Sequence, residues 1–333
     1  MLDNVQNILM IRRGAIGDIL FTLPAYHLLR ANFPNSKISF LVKDSYSQVL
    51  QGFPGLDEKL FIRKKDLSSS NIVTLWNMSR ELFKTVQSHN FQLAIDFVGH
   101  GEQAFFLWLA NIQHRWGSIK TRKPLRQYFY SNYFIRNMDT VHIIDQHLKL
   151  LERGGLTSFP VKNEYVVPKE NLEKAEYIFK HLGLSLNQPT LYIQPFTGDG
   201  VAGKMWPLDR YVSVADYCQR QGMQVLFGGA PDEREKLTAV AERFPVAAGQ
   251  ADLVTSIALA KLSSVIVGGD TGLMHAAVAV GKRTVMLVGP TNYFRIGPYQ
   301  HPEWAIRPPS GNVIEDISVT QVIEGIITAI NEL

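Results

Sequence analysis

The chain has almost no cysteine. Cys218 is the one thiol in 333 residues, so neither an internal disulfide nor a cysteine-built metal site can form within it. Long apolar runs are also missing. No stretch reaches the roughly 18 apolar residues of a membrane span, and none is expected. Ile8 to Ile11 run straight into Arg12 and Arg13, without the basic start, long apolar core and small-residue cleavage site of a secretory signal. A cytoplasmic protein is the expectation. There is no Asp-x-Asp pair and no histidine cluster at ligand spacing, so no metal site is expected. Short repeats and low-complexity tracts are absent. Acidic residues are missing from one whole segment, Arg115 to Arg136.

What is present describes a folded enzyme-sized chain. Hydrophobic residues make up 46% and charged residues 19%, enough for a core and too apolar for disorder. The length fits two domains of ordinary size. A net charge of +4 and a pI of about 9.0 favour anionic partners only weakly. The acid-free segment is more specific. It carries Arg115, Lys120, Arg122, Lys123 and Arg126, interleaved with Trp116, Tyr128, Phe129, Tyr130, Tyr133 and Phe134. It reads either as a solvated basic loop or as a surface for phosphorylated lipid, a membrane or nucleic acid.

Strand-like and helix-like segments alternate. Asn7 to Ile11, Lys37 to Val42, Lys59 to Ile62 and Gln92 to Phe97 have the apolar character of strands. Between them, Ile19 to Ala31, Ser45 to Gln51, Leu75 to Ser88 and Gln103 to Ala110 are predicted helices. The pattern restarts after Pro168. Helices are predicted over Asn171 to Leu182, Asp209 to Gln221, Asp232 to Phe244, Leu253 to Leu262 and Thr320 to Asn331. Strands are predicted over Thr190 to Gln194, Gln224 to Phe227, Ser264 to Val267 and Thr284 to Val288. This order predicts an α/β chain of two doubly wound parallel-sheet halves, joined near Gly154 to Pro168. Such halves bind ligands at the carboxyl ends of their strands, and a cleft between the two is the expected place.

The turns at those strand ends hold the chemistry. Gly268-Gly269-Asp270-Thr271-Gly272-Leu273-Met274-His275 lies between a buried strand and a small-residue helix. Unpaired N–H groups at a helix start attract anions, phosphate above all, although a plain helix cap explains the residues too. Arg12 to Leu20 follows the first strand. There, Asp18 is either a first-turn acid or a general base at a strand tip, and Gly14 and Gly17 lack dinucleotide spacing. Gln194 to Pro207 is glycine-rich and offers Thr197 and Lys204. Phe227 to Glu235 offers Glu233 for ribose hydroxyls. Val288 to Asn292 is a turn by composition.

These residues resemble glycosyltransferase family 9, the ADP-heptose:lipopolysaccharide heptosyltransferases. The family's Gly-Asp-(Ile/Val)-Leu-x-Thr-Leu-Pro-Ala is present as Gly17 to Ala25, and its Asp-Thr-Gly-x-x-His as Asp270 to His275. Gly289 to Thr291 and Lys204 to Pro207 match further segments in the same order. The resemblance implies a GT-B architecture, with an acceptor domain over residues 1–160 and a nucleotide-sugar domain over 161–333, the final helix packing back on the first. It implies inverting, metal-independent and cofactor-free transfer of heptose to the phosphorylated lipopolysaccharide core, at the inner face of the inner membrane and without nucleic acid. Asp18 would be the base. Lys204, Thr197, Thr271 and Gly272 would hold the diphosphate, with Asp270 organising their loop and Glu233 taking the ribose. Gly17 and His275 would be structural, and Arg115, Lys120, Arg122, Lys123 and Arg126 would meet the acceptor. A lysine and a helix N-terminus can neutralise a departing diphosphate as a metal would. The alternatives are a GT-B nucleotide-sugar epimerase and a catalytically silent nucleotide-sugar-binding module.

Overall fold

Asn7–Ile11 (β1) is an unbroken apolar run, and beyond its first residue every side chain is buried. A strand covered on both faces belongs at the centre of a parallel sheet. In the computed structural model, which describes residues 2, 5–62, 83–98, 102–119, 126–135, 140–198 and 203–332, β1 takes that place. The chain divides into two units, Met1–Asn163 and Glu164–Leu333.

The first unit holds a six-stranded sheet of order β3-β2-β1-β4-β5-β6, parallel throughout. Its strands are β1, β2 (Lys37–Lys43), β3 (Glu58–Ile62), β4 (Leu93–Asp96), β5 (His114–Ile119) and β6 (Asn132–Ile135). Ile8 pairs with Ile38 on one side and Leu93 on the other, which fixes the register at the centre. Helices α1 (Ile16–Leu20), α2 (Leu23–Asn32), α3 (Glu102–Leu109) and α4 (Ile143–Arg153) connect the strands. The predicted helix over Ile19 to Ala31 is in fact broken. The Thr22 hydroxyl donates back to the Ile19 carbonyl at 2.7 Å, and Pro24, without an N–H, sits in the first turn of the new helix. Asp44–Gly52 is a 3-10 turn rather than an α-helix, as its polar, glycine-ended sequence allows. Of the predicted helix Leu75 to Ser88, residues 83–88 are helical and the rest lie outside the described residues.

The acid-free segment is not a plain loop. It contains β5, a 3-10 turn over Arg126–Phe129, and β6. Its aromatics are partly core: Trp116 and Tyr130 are buried. Gly117 makes room for Tyr130, whose ring lies 2.2 Å from where a Cβ would stand. The Tyr130 hydroxyl donates to the fully buried Asp96 carboxylate at 2.5 Å.

The second unit holds a five-stranded parallel sheet of order β11-β10-β9-β7-β8. Its strands are β7 (Thr190–Gln194), β8 (Gln224–Phe227), β9 (Val265–Gly269), β10 (Arg283–Leu287) and β11 (Ala305–Ile306). The long helices are α5 (Lys169–His181), α6 (Leu208–Arg220), α7 (Leu253–Leu262), α8 (Gly272–Ala279) and α9 (Val319–Asn331). The predicted helix from Asp232 to Phe244 is instead two 3-10 turns and the short helix Thr238–Ala241. Glu233 stands at its start, its carboxylate accepting from the Ala230 N–H at 2.7 Å in the manner of a capping box. The core runs through Leu191, Trp206, Tyr211, Val225, Val267 and Leu287. Cys218 lies in it, and burial pushes its thiol pKa up to about 11, so it is an inert packing residue.

The final helix, expected to return to the first half, buries Val322, Ile326 and Ala329 in the core of the second unit. Among the described residues no helix is long and apolar enough to cross a membrane. Ile326→Ala should destabilise the second unit by about 2–5 kcal/mol, the usual cost of a buried isoleucine cavity. A lowered urea midpoint measures it, and an unchanged midpoint would mean that α9 adds nothing to this core.

Candidate active site

Three strand tips of the second unit meet at one carboxylate. Asp270 follows β9 directly, and its side chain is 7% exposed. Oδ2 accepts from Lys204 Nζ at 2.8 Å and from the Thr291 hydroxyl at 2.9 Å, and Oδ1 lies 2.9 Å from His275 Nε2. Burial by itself would raise the Asp270 pKa. The hydrogen bond and charge of His275, and then those of Lys204, outweigh it and hold the carboxyl well below the usual range. Lys204 comes from the turn after β7, Thr291 from the turn after β10, and His275 from α8. Asp270 therefore ties three segments together in the ionised state.

Glycines let the segments approach. A Cβ on Gly269 would stand 2.9 Å from Thr197 Cγ2 and 3.2 Å from the Lys204 carbonyl oxygen. One on Gly289 would stand 2.9 Å from Ile314 Cβ and 3.0 Å from the Gly203 carbonyl oxygen. Thr271 caps α8, its hydroxyl accepting from the Met274 N–H at 3.3 Å. The N–H groups of Gly272 and Leu273 begin the helix with no partner inside it. One of the three N–H groups of Lys204 is used by Asp270. The tip thus offers an ammonium, hydroxyls and helix N–H donors together, a suitable set for a diphosphate. Thr197 is nearly buried beside them. Glu233 lies at the tip of β8, bracing the Ala230 turn. A cavity of about 520 Å³ borders Thr291 and is lined also by Tyr293, Phe294, Arg307 and Asn312.

The first unit presents a different tip. Gly14 has φ +135°, and the Tyr46 ring lies 2.3 Å from where its Cβ would be, so only glycine fits the turn after β1. Gly17 is buried in α1, one residue before Asp18. Asp18 Oδ1 pairs with Arg12 Nη2 at 2.5 Å, and Oδ2 accepts from the Ala15 N–H at 3.1 Å. The carboxylate stays one-third exposed, at 35%.

The basic set divides. Arg115 is turned inward, its guanidinium donating to the carbonyls of Phe129, Ile112 and Gln113. It braces the β5–β6 connection with its Nε and Nη1. Arg126 starts the 3-10 turn, and Lys120, Arg122 and Lys123 lie outside the described residues. Sequence reasoning assigns no role to Arg12 or Thr291, although both stand in the turns after β1 and β10. Arg12 could have been flagged as a charge directly abutting an apolar strand.

Two parallel-sheet α/β units of this kind make up the GT-B fold. Comparison with solved structures supports this. The glycosyl transferase family 9 protein from Veillonella parvula covers 100% of this chain and 99% of its own at TM-score 0.85 and 24% identity. The E. coli heptosyltransferase WaaC with ADP-2-deoxy-2-fluoro heptose covers 97% and 99% at TM-score 0.76 and 18% identity. Lipopolysaccharide heptosyltransferase 1 of Escherichia coli K12 is 22% identical over 321 residues, 93% of this chain and 96% of the relative. The model of glycosyltransferase family 9 (heptosyltransferase) matches residues 79–315, and the chain belongs to that family. It is a glycosyltransferase.

The depressed Asp270 pKa has a signed consequence. A carboxyl whose pKa is lower folded than unfolded stabilises the fold fully above its unfolded value, about 4, and loses that contribution as pH falls towards the folded value. Asp270→Asn should therefore lower the unfolding midpoint at pH 7, and its gap from wild type should shrink below about pH 4. A gap that stays constant from pH 7 to pH 3 would mean the ionised carboxylate adds no stability.

Proposed function

We propose that this enzyme transfers heptose from ADP-heptose to the inner core of lipopolysaccharide in one inverting, metal-independent step. The observation that carries the proposal is the Lys204–Asp270–Thr291 cluster at the start of α8. It is an ion-paired, buried arrangement with cationic and N–H donors left to face a ligand. The names of the family relatives, with the ADP-heptose analogue bound by one of them, support the donor and the acceptor.

The second unit holds the donor in this proposal. Lys204, Thr197, Thr271 and the first N–H groups of α8 take the diphosphate, and Glu233 takes the ribose hydroxyls. The first unit binds the acceptor, and Asp18 accepts the proton of its attacking hydroxyl. The acceptor oxygen then bonds to the anomeric carbon from the face opposite the diphosphate, the carbon–oxygen bond to the diphosphate breaks, and ADP leaves with its electron pair. One base and one stabilised leaving group suffice for inversion. Lys204 and the helix N-terminus meet the charge on the leaving group without a cation. Among the described residues, no three His, Cys, Asp or Glu side chains gather as metal ligands.

Work at the cytoplasmic membrane face fits the surface of the first unit. On α3, Phe105, Trp108 and Leu109 are exposed at positions i, i+3 and i+4, and Tyr128 beside them is 75% exposed. Tyr128 belongs to the acid-free, lysine- and arginine-rich segment, and exposed aromatics in and beside such a segment suit an anionic lipid surface. Nucleic acid has no place in this reading.

Lys204→Ala should weaken ADP binding about ten- to a hundredfold, the loss expected of a charge-assisted contact. Calorimetry checks this, and equal affinity would remove Lys204 from the donor site. Asp18→Ala should abolish transfer onto truncated lipopolysaccharide, followed by mass spectrometry, while ADP affinity stays within about twofold. EDTA should leave the wild-type rate unchanged, and a rate restored only by added divalent metal would overturn the metal-independent step.

A further inference from the structure

We infer that Arg12 is a positioning residue for the general base, its guanidinium holding the Asp18 carboxylate in the direction from which it receives the acceptor's proton. This rests on the reading of Asp18 as that base.

The need for such a residue comes from α1. It spans five residues, and so short a helix does not hold its own shape in water. Asp18 projects from it to a partly exposed position, where a carboxylate is free to rotate. The sheet centre has the rigidity that α1 lacks, and Arg12 connects the two. Its N–H donates to the Leu41 carbonyl of β2 at 3.1 Å, and its Nη1 donates to the Phe97 carbonyl just past β4. Its Nη2 makes the Asp18 contact at 2.5 Å. The Arg12 side chain is 7% exposed, so water does not screen the pair from that side.

A buried cation is costly unless an anion accompanies it. A staple joining β1 to β4 would need only the Phe97 carbonyl. The second arm reaches a carboxylate instead. The planar fork of arginine spans two acceptors at a fixed angle, which a lysine ammonium does not. With Arg12 on Oδ1 and the Ala15 N–H on Oδ2, each oxygen is fixed by one donor and keeps a lone pair for a hydroxyl.

The test measures kcat and the KM of both ADP-heptose and truncated lipopolysaccharide in Arg12→Met, Arg12→Lys, Asp18→Asn and the double variant Arg12→Met with Asp18→Asn. A misdirected base costs about a hundredfold in rate. Arg12→Met should lose about that much in kcat with donor KM unchanged, and Arg12→Lys should recover part of it. The double variant should be no slower than Asp18→Asn alone, because Arg12 acts through Asp18. An unchanged urea midpoint of the first unit in Arg12→Met shows that the variant is folded there, since ADP binding reports on the second unit. If that midpoint falls, the partial rescue by Arg12→Lys and its non-additivity with Asp18→Asn decide the matter. Asp18→Asn inactive with Arg12→Met at wild-type rate overturns the role of Arg12 alone. Losses that multiply in the double variant overturn it too, as does a rise in acceptor KM with kcat unchanged. Wild-type turnover in Asp18→Asn overturns the base itself, and the role of Arg12 with it.

Discussion

The ionised carboxylate of Asp270 is the constraint on which the donor side depends. A carboxylate this deeply placed stays charged only because Lys204, His275 and Thr291 surround it with donors. In return it fixes the one lysine near the start of α8 and draws two separate turns onto a third. Remove the charge and the ammonium loses its anchor, the turn after β10 loses a tie, and His275 loses its partner. Binding geometry and local stability are here the same interaction.

The two tips use ion pairs in contrasting ways. On the second unit the anion is inside and the cation is the more exposed partner: Asp270 is 7% exposed and Lys204 20%. On the first unit the order is reversed, with Arg12 at 7% and Asp18 at 35%. Each arrangement leaves outward the charge that its proposed task requires, a cation for a diphosphate and a carboxylate for a proton. In the proposed roles the buried partner sets direction, and the outer partner meets the substrate.

Much of this fold was readable from apolar periodicity. β1, β2, β7 and β9 are covered on both faces, and their sequences are accordingly continuous apolar runs. β5 and β6 were not readable, because arginines, a glycine and aromatics disguise them as a basic loop. Trp116 and Tyr130 are core residues only because neighbours along the sheet bury them. The long helix expected after Asp232 is divided into two 3-10 turns and one short helix, and no glycine or proline between Asp232 and Phe244 signals the division. At the site, the residue types and their turns were legible, but the links between them were not. Asp270 and Thr291 are 21 positions apart, and the sequence does not say that their turns touch. The parallel pairing of β9 with β10, which sets Gly269 against Leu287, brings those turns together. Arg12 and Asp18 are only six positions apart, yet nothing in the spacing says that the turn between them folds back.

Gly269 and Gly289 stand where the turns are stacked without clearance for even a methyl group. The end of the site proposed for the diphosphate is therefore tightly packed and open to little change by substitution. Divergence among enzymes built on this plan must fall elsewhere. The cavity beside Thr291 is walled by the side chains of Tyr293, Phe294, Arg307 and Asn312. A lineage acquiring a new donor sugar would be expected to rewrite that wall and leave the glycines alone.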